Sequence, residues 1–224
     1  MRTNRRQFTA CLSLYLMFPF NLYSQEYDLE RFFVSVSNDD VKFVQEFLAR
    51  KFDPNTPNAQ GDSALILAVR SGSMKVFEHL IRHPGINLNQ RNRARESPLM
   101  LAAFSANQKV VEILLARNVE VNNTGWTALH YAATHGHVEI MRLLLEHHAF
   151  VDAEAPNLMT PLMLAARSGH FEAVRLLLDH GAIDSLKNDA GMTAEDFALR
   201  NGHQELVEAF KRRRQRNQKP AWLR

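Results

Sequence analysis

Apolar residues recur along this chain with the period of amphipathic helices. Val138, Ile140, Met141, Leu143, Leu144 and Leu145 form one such stretch, and Phe171, Val174, Leu176, Leu177 and Leu178 form another, each with charged residues between the apolar ones. Each stretch predicts a short helix with one buried face. Gly136-His137 and Gly169-His170 stand just before them, and Gly202-His203 stands before a third run, Leu206, Val207 and Phe210. Upstream of the first two glycines lie Ala132-Ala133 and Ala165-Ala166, in segments that predict a second kind of helix, small-faced and fit for close packing.

The pattern repeats in register. Thr127-Ala128-Leu129-His130, Thr160-Pro161-Leu162-Met163 and Thr193-Ala194-Glu195-Asp196 open three units at equal steps along the chain. Ser97-Pro98-Leu99-Met100 and Ser63-Ala64-Leu65-Ile66 open two more. Thr or Ser at the opening caps the first helix, and proline in the first turn removes a backbone donor that has no partner there. The glycine allows the turn into the second helix. A single unit of this size cannot bury its own apolar face, so units stack, and the end units must be polar on the outside.

These residues resemble the ankyrin repeat, a unit of about 33 residues opening Thr-Pro-Leu-His with Ala-Ala, then Gly-His, a leucine-rich second helix and a Gly-Ala-Asp-Val-Asn turn. Residues 125 to 190 carry the pattern most fully, including His180-Gly181-Ala182. The resemblance implies an all-α ankyrin-repeat solenoid of paired antiparallel helices with β-turn fingers. The expected organisation is a leader at 1–24, a degenerate N-terminal capping repeat at 25–61, and repeats at 62–95, 96–124, 125–158 and 159–190. A C-terminal capping repeat at 191–214 and a basic disordered tail at 215–224 complete it. The first capping repeat keeps Phe32, Phe33, Val36, Phe43, Val44, Phe47 and Leu48 but lacks the Thr-Pro-Leu-His opening. Two departures fall on the fingers. The step from Ser97 to Thr127 is shorter than the step from Thr127 to Thr160, which shortens the finger at Asn122-Asn123-Thr124-Gly125. Arg95 and Leu158 stand where the finger glycine is usual, so those turns are expected to close without a residue free to take positive φ.

Composition adds a compartment. The 224 residues are 46% hydrophobic and 23% charged, which excludes outright disorder and fits one globular domain or two small ones. Arg2, Arg5 and Arg6 precede an apolar run from Phe8 to Phe20. That run is too short to span a bilayer and suits the core of a signal peptide. Asn4-Arg5-Arg6-Gln7-Phe8 resembles the twin-arginine signal of bacteria, although Thr9 and Ala10 depart from it, so the general export route stays open. Cleavage after Ser24 fits a small residue there, while Leu22 departs from the small-x-small rule and leaves an uncleaved anchor as the alternative. The expected location is the periplasm. Cys11, the single cysteine, leaves with a cleaved leader, and the remaining chain then has no thiol for a disulfide, nucleophile or metal. From residue 25 onward basic and acidic residues balance, but residues 211 to 224 hold seven basic residues and no acid. The body is acidic and the tail basic.

The candidate chemistry is sparse. Ten histidines invite a metal or catalytic reading, above all His135-Gly136-His137 and His147-His148. His137, His170 and His203 share one repeat position, however, and a single active site has no use for evenly spaced copies. The resemblance implies that these three and His130 satisfy backbone groups between units. His135 and His148 break the period, and two residues fall short of the three or four ligands a zinc site needs. There is no phosphate-binding glycine loop, no Gly-x-Ser-x-Gly and no His-Glu-x-x-His. The sequence therefore predicts no enzyme, cofactor or metal. Arg91, Arg93, Arg95 and the run from Lys211 to Arg216 lack interleaved aromatics and the body is acidic, so no nucleic-acid partner is expected. Weak attraction of the tail to anionic envelope surfaces is a second use for its charge.

The expected function is binding of another protein, in the cell envelope, by a monomer. The alternative is an intracellular ankyrin adaptor or effector whose basic tail serves targeting. The resemblance puts partner contacts on the concave side at two variable positions. The residue before the Thr/Ser opening gives Asp62, Glu96, Trp126, Met159 and Met192; the residue after the paired small residues gives Arg70, Phe104, Thr134, Arg167 and Arg200. Of these, Arg70, Phe104, Trp126, Met159, Arg167, Met192 and Arg200 make an apolar strip beside a row of arginines, the composition of interface anchors, the alternative being that Met159 and Met192 only cover the neighbouring finger.

Overall fold

The computed structural model describes residues 18–218. Residues 1–17 of the expected leader, Cys11 among them, and residues 219–224 of the expected tail lie outside the described residues. The chain divides into two compact units, meeting in sequence between Ala94 and Arg95. Among the described residues all regular structure is helical. No helix among them is long and apolar enough to cross a membrane.

The first unit holds α1 (Phe18–Ser37), α2 (Val41–Ala49), α3 (Ala64–Ser71) and α4 (Met74–Leu80). α1 packs against α2 and α3, and α2 against α4, so the pairs lie side by side. Phenylalanine fills the end pair. The Phe32 ring lies 5.0 Å from Phe47, 4.9 Å from Phe52 and 5.3 Å from Phe33. α1 runs unbroken across the Ser24–Gln25 bond, the expected cleavage point.

The second unit holds α5 (Pro98–Phe104), α6 (Gln108–Leu115), α7 (Ala128–His135), α8 (Val138–Glu146), α9 (Pro161–Ser168), α10 (Phe171–Asp179), α11 (Ala194–Arg200) and α12 (Gln204–Gln218). Odd-numbered helices pack on one another in the order α5, α7, α9, α11, and α6, α8 and α10 form a second layer. Alanine sets the spacing of the first layer: Ala102, Ala103, Ala132, Ala133, Ala165 and Ala166 have no exposed surface. Val110, Leu114, Met141, Leu144 and Leu177 are equally buried in the second layer.

The sequence signals act as local chemistry requires. Ser97 Oγ accepts from the Met100 N–H and Thr160 Oγ1 from the Met163 N–H, each with proline at the first helical position. Gly136 and Gly169 take left-handed φ of 69° and 78° and leave room for a neighbour. A Cβ on Gly136 would stand 2.7 Å from the His170 ring, and one on Gly169 2.5 Å from the His203 ring. Glycine is required there by space as well as by conformation.

Two expectations are corrected. Arg95 and Leu158 adopt φ of 63° and 56°, in the region that Gly61, Gly125 and Gly191 occupy at the other finger tips. The Leu158 turn keeps the finger's hydrogen bonds, Leu158 N–H to Ala155 C=O at 2.8 Å and Ala155 N–H to Met159 C=O at 3.0 Å. Stacking imposes the register, and the side chains bear the strain. The basic tail is helical as far as Gln218, not disordered from residue 215. Arg213 donates to the Leu178 carbonyl near the end of α10, lies 3.7 Å from Asp184, and is followed by an Arg214–Glu195 ion pair. These contacts tie the last helix to α10 and α11, consistent with cations at a helix C-terminus.

Candidate binding face

The two variable rows lie beside each other on the first-helix layer. In the second unit, Arg200 Nη1 reaches Met192 Sδ at 3.8 Å. The first unit shows the same pairing, where Arg70 Nη1 meets Asp62 Oδ2 at 2.5 Å; Asp62 is buried and also accepts from Asn92 Nδ2 at 3.0 Å. Arg70 is thus exposed but engaged by its own repeat. Beside it in that unit, Leu29, Phe33, Val34, Pro57, Ala59 and Leu67 line an open groove of about 780 Å³.

Histidines hold the rows of the second unit in place. The imidazoles of His137, His170 and His203 bond through Nε2 to the carbonyls of Phe104, Thr134 and Arg167 at 3.2, 3.1 and 3.1 Å. Each carbonyl belongs to the row residue of the preceding repeat. A carbonyl only accepts, so Nε2 carries the hydrogen in all three. His130 does the same for the other row. Its Nε2 donates to the Met159 carbonyl at 3.0 Å, while Nδ1 accepts from the Thr127 N–H at 3.1 Å. His130 is fully buried, and burial pushes its pKa down to about 4 against the raising effect of its backbone bonds. It is a neutral structural group.

Met159 is the row residue that the structure removes from the surface. It is 2% exposed, its carbonyl takes the His130 bond, and its sulfur accepts from Asn188 Nδ2 of the next finger at 3.6 Å. A finger that covers its neighbour buries the side chain, so Met159 cannot be a partner contact. Met192 is half-buried. Arg167 and Arg200 are exposed, as are Phe104 at 49% and Trp126 at 40%.

Phe104 and Trp126 are joined by Tyr131, which the repeat pattern does not single out. Its ring lies 6.0 Å from Phe104 and 6.2 Å from Trp126, both edge to face, and its hydroxyl donates to Glu96 Oε1 at 3.3 Å. Burial, then the Glu96 charge and bond, push the Tyr131 pKa up to about 12, so the phenol stays neutral. His135 meets Phe104 edge to face at 4.7 Å and stacks on His137 at 5.6 Å. Burial, followed by His137 and His170, lowers the His135 pKa. The result is a half-exposed aromatic group with one carboxylate, followed along the rows by Arg167 and Arg200. Among the described residues no three histidine, cysteine, aspartate or glutamate side chains converge as metal ligands would.

Comparison with known proteins agrees with this architecture. A family described as ankyrin repeats, in three copies, matches residues 32–124, 84–155 and 149–218. Neurogenic locus notch homolog protein 1 of Xenopus tropicalis is 33% identical over 124 residues, 54% of this chain and 5% of that protein. Rabankyrin-5 of Homo sapiens is 32% identical over 132 residues, 56% of this chain and 11% of the relative. Putative ankyrin repeat protein YahD of Escherichia coli is 30% identical over 125 residues, 52% of this chain and 62% of the relative. The chain therefore spans less than two thirds of each of these relatives.

Proposed function

The chain belongs to the ankyrin repeat family, and from that premise we propose that it holds a protein partner, without catalysis, on the exposed face of its first-helix layer. Ankyrin repeats make a protein–protein interaction module. The observation that carries the choice of face is the row structure of the second unit: Phe104, Trp126, Arg167 and Arg200 are exposed, and the backbone carbonyls of Phe104 and Arg167 are held by His137 and His203. Exposed aromatics and arginines on a rigid scaffold are the residues that carry binding energy in interfaces, because little conformational entropy is lost when they are covered.

The same reading places the protein in the bacterial periplasm as a monomer bound to an envelope partner. Its support is Arg5-Arg6 before the apolar run from Phe8 to Phe20. The second reading, a retained leader or an intracellular adaptor, is favoured by the helical course of α1 through the Ser24–Gln25 bond. Fractionation of a tagged full chain separates the two: a shortened periplasmic product supports export, and an uncut cytosolic chain refutes it. A photo-crosslinking side chain placed at Phe104 or Arg167 then captures the partner, while one at Glu172 or Arg175 of α10 does not. Capture from α10 alone refutes the choice of face.

A further inference from the structure

The arginines of the variable row are matched within their own repeat in the first unit and left unmatched in the second. Arg70 meets the carboxylate of Asp62, the residue just before the Ser63 opening, at 2.5 Å. Met159 and Met192 hold that place in the repeats of Arg167 and Arg200. Met159 is buried with its sulfur on Asn188 Nδ2, and Met192 offers Arg200 only a thioether at 3.8 Å. A thioether accepts weakly and brings no charge. We propose that Arg167 and Arg200 form a receptor for a pair of carboxylates, aspartate or glutamate, on an extended segment of the protein partner. The inference rests on the face assigned above and names the chemistry of what that face takes.

The arrangement of charge around the two arginines carries it. Both are exposed, and among the described residues neither guanidinium meets a carboxylate. α9 contains no acidic residue, and the two on α11 are engaged, Glu195 by Arg214 and Asp196 by the Thr193 N–H and hydroxyl at 2.8 Å. The two arginines are also placed as a pair. Each stands in the last turn of its helix, and α9 and α11 pack directly on each other. Helices in contact lie about 8–10 Å apart, and an extended segment advances about 3.3 Å per residue, so acidic residues two or three positions apart can reach both. His203 fixes the spacing at its base by donating to the Arg167 carbonyl at 3.1 Å. A guanidinium takes a carboxylate through two parallel N–H bonds, so the receptor reads planar carboxylates and not charge alone. The acidic excess of the body favours a short acidic peptide over a long polyanion, whose remaining charges it repels.

The test uses the full chain and a displayed library of random dodecapeptides. Peptides selected on the wild-type protein are expected to carry closely spaced aspartate or glutamate. Replacing those acids by their amides is expected to weaken binding roughly tenfold. The double variant Arg167→Gln/Arg200→Gln loses the preference for acid over amide, whereas Arg175→Gln on α10 keeps it. Met192→Asp, which restores in the Arg200 repeat the carboxylate that Arg70 has in its own, weakens the acidic peptides with both arginines still present. Peptides lost on Phe104→Ala or Trp126→Leu but indifferent to amide replacement or to the arginine pair overturn the carboxylate receptor and leave the face standing. A thymidine 20-mer that displaces the peptides and is itself lost on Arg167→Gln/Arg200→Gln reassigns the pair to phosphate and overturns the proposal. A library yielding no peptide sensitive to Phe104→Ala, Trp126→Leu or Arg167→Gln/Arg200→Gln overturns the face and the receptor together.

Discussion

His130 offers a quantitative test of how the repeats are held, because its role is tied to one protonation state. Protonation puts a hydrogen on Nδ1, which must stop accepting from the Thr127 N–H and opposes it with a donor, inside a site without exposed surface. The native pKa is pushed down to about 4, whereas the unfolded chain titrates near the ordinary value of 6.5. The unfolded state therefore binds the proton first. Above about pH 6.5 neither state is charged, and the contribution of the neutral histidine is fully present. As pH falls towards 4 it is lost, at up to about 1.4 kcal/mol per pH unit, for a total of about 3 kcal/mol. The control is His130→Gln, which places a non-titrating acceptor at the third position of the capping box opposite Thr127. Urea unfolding followed by circular dichroism from pH 7 to 4 measures both proteins. The variant is less stable at pH 7, but its stability falls less steeply between 6.5 and 4, and the difference between the curves isolates this site because His79 and His135 titrate in both. Parallel curves for the two proteins would refute the buried, neutral assignment.

Other predictions address packing, strain and the loop ladder. Leu144→Ala and Leu177→Ala remove fully buried side chains of α8 and α10 and each cost about 2–5 kcal/mol, read as a clear drop in melting temperature; no shift in either would contradict the packing. Arg95→Gly relieves a side chain held at φ 63° and stabilises by about 0.5–1 kcal/mol, the net of about 1–2 kcal/mol of left-handed strain and the entropy glycine loses; an unchanged or lower urea midpoint argues against strain there. Asn55 and Asn122 each bridge the next loop, accepting from the N–H of Asn87 or Phe150 and donating to the carbonyl of Gly85 or His148. Asp152 accepts from the Ile183 N–H at 3.2 Å but has no amide to donate, so Asp152→Asn raises the urea midpoint by supplying that donor.

The helix pairs were legible because each repeat states its own boundaries. Thr160-Pro161 starts α9, Gly169 ends it, and the leucines of α10 follow with helical period. Capping and turn chemistry are local, so residue identity at fixed spacing is enough. The rows were legible only in part, because exposure depends on the neighbouring repeat. Trp126 and Met159 occupy equivalent positions, yet Trp126 stays at 40% exposure while the finger bearing Asn188 covers Met159. Tyr131 carries no periodic signal that separates it from an ordinary residue of α7; its importance comes from Phe104 one repeat away and from Glu96, a meeting that spacing alone does not announce. Arg95 and Leu158 show the converse, tertiary register overriding local preference.

The central claim, that the first-helix face holds the partner, is tested most directly by amide hydrogen exchange of the full chain with and without its captured partner. The account predicts slowed exchange in peptides covering 96–106, 124–136 and 159–168, with little change in 138–146 and 171–179. Protection confined to those second-layer segments, α8 and α10, would contradict it.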